Sequence, residues 1–387
     1  MKERRIEALP AAYKKRAIRY AEELIRCDSS NPPGDEYAAA AFAAGELEQN
    51  GFEVRLDEFE PKRCNVTATL GGCQETGLIF LGHLDVVPAN GDWVHEKFVP
   101  QTEGDRLYGR GACDMKGGIA AMLAAAAALA HSGAGLQKGL TILLDSDEEH
   151  SNKGINRILA QGPLKAQAAI VGEPSGLGLL LGNKGYSSFY IRTKGVSCHA
   201  SQPEKGENAI YKMAGAVRLL EEYAQKLAGK TNPYLGSASL SVGTIRGGTR
   251  VNIVPDECVC EVERRILPGE TCEMVQKELE QLLKGIGEVL PRGTFTPTSL
   301  LEEEHPFTAE TARIMKNVLK KEPEIGVFSG GTEAAYISQY GIPTLIVGPG
   351  SLKQAHRVDE YVSITQVEQC ADIYFQLMQS VCGGLSK

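Results

Sequence analysis

The 387-residue chain has a formal net charge of −8, with 42% hydrophobic and 23% charged residues. Its length favours two domains over a single core. No basic face is visible, so nucleic acid is not an expected partner, because phosphate binding requires one. Residues 1–27 are charged and amphipathic and lack the apolar centre of a signal peptide. We therefore expect a cytoplasmic protein without a membrane role.

Ten cysteines are scattered along the chain, and none of them forms a CxxC pair. We expect them to be reduced thiols that pack as small hydrophobic residues. An alanine run at 124–128 lies in an apolar stretch that we expect to be too short to span a bilayer. This run predicts a buried helix.

The first part of the chain alternates helical patterns with short apolar strands, which predicts an α/β layer structure. Helices are expected at 11–26, 35–50 and 117–131, and strands at 53–60, 65–70, 78–81, 140–144 and 168–171. The continuous apolar runs predict strands that are buried on both faces of a central sheet.

The pattern changes after residue 182. The order becomes strand 186–193, helix 208–227, strands 238–246 and 257–266, helix 270–286 and strand 294–301. This β-α-β-β-α-β order is typical of the ferredoxin-like split motif, a self-contained unit. Helices at 308–320 and 333–340, a strand at 343–347 and a helix from 364 then resume the first pattern. We predict a larger domain of residues 1–182 and 303–387 with an inserted domain of residues 183–302.

Acidic and histidine residues follow the predicted strands of the larger domain or open its long helix. They are His83, Asp114, Glu148, Glu149, Glu173 and His356. In an open α/β sheet, ligands gather beyond the carboxyl ends of the strands. Two histidines and three of these four carboxylates would suit two zinc-like ions with one bridging carboxylate.

Each of these residues also has an ordinary interpretation. A lone histidine after a strand is usually a loop residue, the Glu148–Glu149 pair could complement a helix dipole, and Asp114 could be a helix N-cap. Together these interpretations are less favoured, because every feature falls at the same edge of the sheet. The remaining histidines of the larger domain have no such placement and are expected to be surface or structural residues: His95, His131, His150 and His305.

Asp85 lies two residues after His83. If the strand geometry continues, both side chains point to the same face, so Asp85 can hold the His83 ring. Metal-bound histidines commonly donate their second ring N–H to such a carboxylate. An aspartate in a turn before residues 86–88 is the alternative.

Several of these motifs resemble the M20 family of metallopeptidases and deacylases. They are GHLDVVP at 82–88, GRGACDMKGG at 109–118, DEE at 147–149 and GEPS at 172–175. The resemblance runs from about residue 15 to the C-terminus. It implies an α/β, di-zinc aminopeptidase-like catalytic domain with an inserted ferredoxin-like α+β lid domain.

The resemblance also implies roles for the metal-site residues. His83 and Glu173 would bind one ion, Glu149 and His356 would bind the other, and Asp114 would bridge them before a cis peptide to Met115. Glu148 would be the general base acting on a metal-bridging water. Zinc is the expected metal, with cobalt or manganese as substitutes.

The inserted domain resembles the lid of the same family. GVSCHASQP at 195–203 and GENAI at 206–210 imply that His199 stabilises the oxyanion, often from the partner subunit of a homodimer formed through the lid. NIVPDE at 252–257 and RILPG at 265–269 imply that Asn252 and Arg265 bind substrate. The neighbouring Arg264 leaves the register of the substrate arginine open by one residue.

GTEA at 331–334, GPG at 348–350 and AHRVDEY at 355–361 most resemble the acetylornithine deacetylase and desuccinylase group. This implies hydrolysis of the amide bond of a small N-acyl amino acid, with Gly350 among the substrate contacts. A dipeptidase or carboxypeptidase with the same metals is the alternative. A non-catalytic binding protein is less favoured, because no ligand or base is missing.

Overall fold

The structure is a computed structural model that describes residues 6–71, 75–133 and 135–383, apart from the side chain of Thr294. The chain divides into two compact units. The first holds Met1–Gly182, Leu300–Phe328 and Thr332–Lys387, and the second holds Asn183–Ser299 and Ser329–Gly331.

The helices and strands of the described residues are numbered in chain order. The helices are α1 (Ala11–Arg26), α2 (Tyr37–Gln49), α3 (Gly117–His131), α4 (Lys153–Leu159), α5 (Ala209–Leu227), α6 (Cys272–Leu282), α7 (Pro306–Leu319), α8 (Ala334–Ser338) and α9 (Ile364–Cys382). The strands are β1 (Glu53–Glu60), β2 (Arg63–Leu70), β3 (Thr76–His83), β4 (Gln101–Glu103), β5 (Arg106–Tyr108), β6 (Gly139–Asp145), β7 (Ala168–Val171), β8 (Leu179–Asn183), β9 (Gly185–Lys194), β10 (Cys198–His199), β11 (Thr231–Asn232), β12 (Gly236–Ser237), β13 (Ser239–Gly247), β14 (Ile253–Val254), β15 (Glu257–Ile266), β16 (Glu288–Thr296), β17 (Ser299–Leu300), β18 (Ile325–Phe328), β19 (Thr344–Ile346) and β20 (Tyr361–Ser363).

The first unit is built on a mixed sheet with the order β1-β2-β6-β3-β7-β19-β8-β17, and β18 pairs with β8. Strands β6, β3, β7 and β19 are parallel, whereas β1 and β2 on one side and β8 on the other pair antiparallel. The carboxyl ends of the four parallel strands therefore meet at one edge of the sheet, where side chains that follow them can converge.

Helices cover both faces of this sheet, as the continuous apolar runs predicted. Leu78 and Phe80 of β3 pack into the layer that contains α1, α3 and α9, and the Phe80 ring meets Tyr374 of α9 edge-on at 4.8 Å between centroids. Ile79 and Leu81 face the opposite layer with α4 and α8. The alternation follows from the two-residue period of a strand. The predicted α/β fold class is thus confirmed.

The helix that contains the alanine run is buried, as predicted. With its preceding turn it covers Ala112–His131, which is long and apolar enough to cross a membrane. The expectation that the stretch is too short was therefore wrong. Its apolar part is nevertheless fully buried inside the first unit, as in the core helix of a globular domain.

The second unit contains an antiparallel sheet with the order β13-β15-β9-β16. In chain order its strands and helices are β9, α5, β13, β15, α6 and β16, which is the ferredoxin-like arrangement. Residues from α5 and α6 pack with β9 and β15 in one apolar cluster, including Met213, Leu220, Leu279, Phe189 and Val262. Along β15 every second residue is buried, so this cluster covers one face of the sheet.

Some details of the second unit and of the short strands differ from the sequence-based expectation. The strand predicted at 294–301 begins earlier, at Glu288, and ends at Thr296. This strand contains Pro291, which is tolerated because β16 pairs only with β9 in the described structure and is therefore an edge strand. A small sheet of β4, β5 and β20 was not predicted, because strands of three residues are too short to show a period.

Candidate metal centre

The six acidic and histidine residues selected from the sequence all lie in the first unit. His83 is the last residue of β3, Asp114 lies in the turn Ala112–Lys116 before α3, Glu148 and Glu149 follow β6, Glu173 follows β7, and His356 follows β19. The peptide from Asp114 to Met115 is cis, as the resemblance implied. The parallel strands thus deliver these residues to one edge of the sheet.

Asp114 lies between the two histidines. Its Oδ1 is 3.1 Å from His83 Nε2, and its Oδ2 is 3.4 Å from His356 Nε2. Glu173 Oε1 is 3.9 Å from His83 Nε2, and Glu149 Oε1 is 3.0 Å from His356 Nε2. Each imidazole therefore meets Asp114 and one glutamate, which is the arrangement expected around a bridging carboxylate.

One ligand atom each from His83, Asp114 and Glu149 lie within 4.8 Å of one another. His83 and Glu173 are almost completely buried, whereas the His356 side chain is 52% exposed. The centre is therefore enclosed on the β3 side and accessible to solvent on the His356 side.

Burial and the neighbouring carboxylates shift the pKa values of this group of residues. Burial raises the pKa of Glu148 and of Glu173 well above the usual range. Burial opposes protonation of His83, but its hydrogen bond to Asp114 and the charge of Glu173 together raise its pKa. Hydrogen bonds to Asp114 and Glu149 raise the pKa of His356 to about 10. Burial disfavours the charged form of the two glutamates, whereas the neighbouring carboxylates favour the charged form of the two histidines.

Asp145 and Glu333 are also buried. Burial, followed by the charge of Glu333, raises the pKa of Asp145 well above its usual range. Among the described residues, only His83 and His356 are basic side chains within ion-pairing distance of Asp114, Glu149 or Glu173. Imidazole and carboxylate donors in this number, without lysine or arginine, fit divalent cations.

Asp85 holds a different group from the one we expected. His83 Nδ1 is 2.9 Å from the backbone oxygen of Asp85, while the nearer carboxylate oxygen is 3.7 Å away. The carboxylate instead accepts the backbone N–H groups of Glu148 and Glu149, each at 3.1 Å. The Asp85 carboxylate therefore orients the loop of Glu148 and Glu149. The backbone oxygen of Asp85 orients the His83 ring.

Glu360 lies in this region, and the sequence analysis assigns it no role. Its Oε1 accepts the backbone N–H groups of Cys113 and Asp114 at 2.9 and 3.0 Å. Its partner Arg110 is also buried. Both residues lie inside the quoted motifs, at 109–118 and 355–361, which is the one signal in the sequence that could have drawn attention to them.

Gly350 packs against the turn that carries Asp114. Its φ is +83°, and a Cβ at this position would lie 2.6 Å from Cys113 Sγ. Its N–H donates to Gln366 Oε1 at 2.8 Å. Only glycine allows this approach, so Gly350 shapes the first unit beside the centre.

The other predicted functional residues lie in the second unit. His199 of β10 pairs with Ile253 of β14, and the carbonyl of Asn252 accepts the N–H of Ala200. His199 and Asn252 are therefore close neighbours. Both are exposed, and His199 Nδ1 is 2.7 Å from Ser201 Oγ.

The two neighbouring arginines differ in exposure. Arg264 is fully buried and forms an ion pair with Glu270 at 2.7 Å. The Arg265 side chain is 34% exposed and contacts Glu263 at 2.8 Å, with its guanidinium 5.2 Å from the Tyr186 ring centroid. Of the two, Arg265 is the side chain that a ligand can reach.

Three of the histidines that the sequence set apart have other partners. His95 contacts Asp359, His131 contacts Tyr13, and His305 accepts the N–H of Phe307 at the start of α7.

Residues 79–380 match the family model described as Peptidase family M20/M25/M40. The chain belongs to this family. It is thus an M20 hydrolase of amide bonds. An acetylornithine deacetylase of Myxococcus xanthus is 30% identical over 381 residues, which covers 94% of this chain and 96% of that protein.

Solved structures share the M20 fold. An aminopeptidase of Bacillus cereus has a TM-score of 0.76 at 20% identity and covers 95% of this chain and 98% of its own. A Bacillus subtilis protein described as a dinuclear metal binding peptidase of the M20 family has a TM-score of 0.70 at 16% identity, over 96% of this chain and 100% of its own. At these identities the likeness concerns the fold alone.

Proposed function

We propose that this M20 hydrolase is a deacylase of small N-acyl amino acids, similar to acetylornithine deacetylase. The observation that carries the proposal is the 30% identity to a protein of that name over 96% of its length. The group formed by His83, Asp114 and Glu149 supports a metal-dependent reaction.

Two divalent ions, zinc foremost and cobalt or manganese as substitutes, are proposed as cofactors. His83 and Glu173 would hold one ion, Glu149 and His356 the other, and Asp114 both. When bound, the ions would polarise the scissile carbonyl and lower the pKa of the attacking water. The surplus of carboxylates over basic side chains at this site supports this assignment.

Glu148 is proposed as the general base. Its carboxylate takes a proton from the attacking water and then delivers it to the leaving amine. Burial raises the pKa of this carboxylate above its usual range. The Asp85 carboxylate accepts the Glu148 N–H, so Asp85 holds the loop that carries the base.

The substrate residues are proposed from the family resemblance and from exposure. Asn252 and Arg265 would bind the substrate, and Arg265 would bind the carboxylate of the substrate. Arg265 is proposed because its side chain is accessible, whereas Arg264 forms an ion pair with Glu270. Gly350 would contact the substrate beside Asp114. His199 would stabilise the oxyanion.

The second unit is proposed to form a homodimer. Its edge strand β13 pairs only with β15 among the described strands, and such an edge invites pairing with another chain. Exposed apolar side chains on this unit include Ile245 at 54%, Tyr211 at 77% and Val251 at 102%. Apolar surface of this kind often marks an interface, and His199 would then serve the partner's site.

Complementation tests the dimer. Neither His199→Ala nor Glu148→Gln should be active alone, but co-expressed chains should regain activity in mixed dimers with one working site. That site combines the intact Glu148 of one chain with the intact His199 of the other. Isolated mixed dimers without activity, or a fully active monomer, would contradict this proposal.

A hydrolysis screen tests the reaction. N-acyl amino acids, including N-acetylornithine, should be compared with dipeptides in the presence of zinc, cobalt or manganese. We expect release of the free amino acid from the N-acyl substrates. Cleavage of dipeptides alone would favour the dipeptidase or carboxypeptidase alternative. Metal binding without any hydrolysis would favour a binding protein.

We also propose that the protein acts in the cytoplasm on small molecules, without nucleic acid or membrane partners. None of the described cysteines forms a disulfide, and six of them are buried: Cys64, Cys113, Cys258, Cys260, Cys370 and Cys382. Cys73 lies outside the described residues. Free thiols suit a reducing compartment.

A further inference from the structure

A buried arginine–glutamate pair lies beside the candidate metal centre and has no part in the reaction proposed above. Arg110 and Glu360 are each 1% exposed. Arg110 Nη1 donates to Glu360 Oε2, and the guanidinium stands 5.0 Å from the Trp93 ring centroid. A buried pair of this kind is not in itself more stabilising than well-packed apolar residues, so its contacts have to explain its presence.

The glutamate fixes the main chain of the bridging residue. Glu360 Oε1 accepts the N–H of Cys113 at 2.9 Å and the N–H of Asp114 at 3.0 Å. Hydrogen bonds to an ionised carboxylate are roughly twice as strong as those between neutral groups. The position of the Asp114 backbone is therefore set by one side chain that is 246 residues away in sequence.

The arginine connects this turn to the loop of the second histidine. Arg110 Nη1 also donates to the carbonyl of Arg357 at 3.2 Å, directly after His356. The N–H of Gly109 donates to the Glu360 carbonyl at 2.9 Å. In this way the pair joins the segment that precedes Asp114 to the segment that follows His356.

We propose that Arg110 and Glu360 are positioning residues that hold Asp114 and His356 at the separation needed to share one ion. In the structure this separation is 3.4 Å between Asp114 Oδ2 and His356 Nε2. Asp85 holds the N–H groups of Glu148 and Glu149 in the same way. The buried carboxylates of Glu360 and Asp85 thus each accept the N–H groups of two successive residues of the metal centre. The inference rests on the metal site of the proposed function.

Cobalt titration of the metal-free, full-length protein, followed by visible absorption, tests the proposal. Glu360→Gln removes the charge but keeps the shape, and it should weaken cobalt binding by about 10- to 100-fold and alter the absorption spectrum. Glu36→Gln is the matched control. Glu36 is also fully buried and paired with an arginine, Arg63, at 2.6 Å, but it accepts no N–H from a proposed ligand. Both variants should lower the unfolding midpoint, and only Glu360→Gln should weaken cobalt binding.

A second pair of variants covers the case in which Glu360→Gln folds poorly. Arg110→Lys keeps a positive charge and should retain more cobalt affinity than Arg110→Met, measured in the same titration. Unchanged cobalt affinity in Glu360→Gln or Arg110→Met, or an equal loss in Glu36→Gln, would overturn the positioning role while leaving the metal site intact. A wild-type chain that binds no cobalt would overturn the metal site and this inference together.

Discussion

Two groups of buried carboxylates in the first unit differ in what balances them. Around Arg63, the guanidinium contacts Glu36 Oε1 at 2.6 Å and Asp147 Oδ1 at 3.0 Å. Around Asp114, the described basic partners are His83 and His356. An arginine keeps its charge at any physiological pH, whereas an imidazole does not. The carboxylates of the Arg63 group thus have a permanent cation within the chain, and the Asp114 group is expected to need added cations.

The largest expected effect is at Asp114. Asp114→Ala should reduce bound metal from about two ions per chain to one or none, and turnover should be lost with the metal. Elemental analysis of chelator-free preparations and an activity assay measure both. The control is Asp372→Ala, because Asp372 is also buried but is paired with Lys14 at 2.8 Å. A fully loaded Asp114→Ala chain would show that Asp114 touches neither ion.

The next largest expected effect is a loss of stability when the Arg63 group is broken. Arg63→Met leaves the buried Glu36 without its cation, and breaking such a pair costs about 3–5 kcal/mol. Urea unfolding should show the same loss in metal-free and metal-loaded protein, because this group contains no proposed ligand. Lys62→Met, at the neighbouring exposed pair with Asp35, should change the midpoint little. A loss of stability that appears only in metal-loaded protein would contradict the proposed difference between the Arg63 group and the Asp114 group.

Glu148→Gln should lower turnover by on the order of a hundredfold or more, because glutamine has the shape of the base but cannot take the proton. Bound metal should stay at the wild-type level, which separates the base from the ligands. Turnover close to that of the wild type would place the base elsewhere. Loss of metal together with activity would instead make Glu148 a ligand.

The sequence predicts the residues of the Asp114 group better than it predicts what surrounds them. His83, Glu149 and Glu173 could be found because each follows an apolar run, and the runs form parallel strands whose ends coincide. Glu360 and Arg110 could not be linked, since they are 250 positions apart and their pairing leaves no period in the sequence.

The local backbone geometry also determines which atom of Asp85 contacts His83. The two-residue spacing correctly brought Asp85 close to His83, but the spacing cannot say whether the backbone oxygen or the carboxylate makes the contact. The structure assigns the ring to the backbone oxygen. The carboxylate is then free for two N–H groups of a loop some 60 residues later, which a period-based argument does not reach.

The smallest expected effect is on the pH dependence of stability. The Asp114 group should make the metal-free protein less stable as pH rises. Raised pKa values give Glu148 and Glu173 a stabilising contribution that is present below their ordinary value of 4.5 and lost as pH rises. His356, raised from 6.5 to about 10, contributes below pH 6.5 and loses its contribution as pH rises through about 10. Metal-free protein should therefore lose stability between about pH 6 and 9.

Metal binding has the opposite dependence, because ions bind the deprotonated ligands and their affinity rises with pH. The gap in melting temperature between zinc-loaded and chelator-treated protein should therefore widen from pH 6 to pH 9, by an amount on the order of a few degrees. Arg63→Met should lower both melting curves and leave this gap in place, since the guanidinium does not titrate in the range. A gap that stays constant or narrows as pH rises would mean that the ions do not replace protons at the Asp114 group.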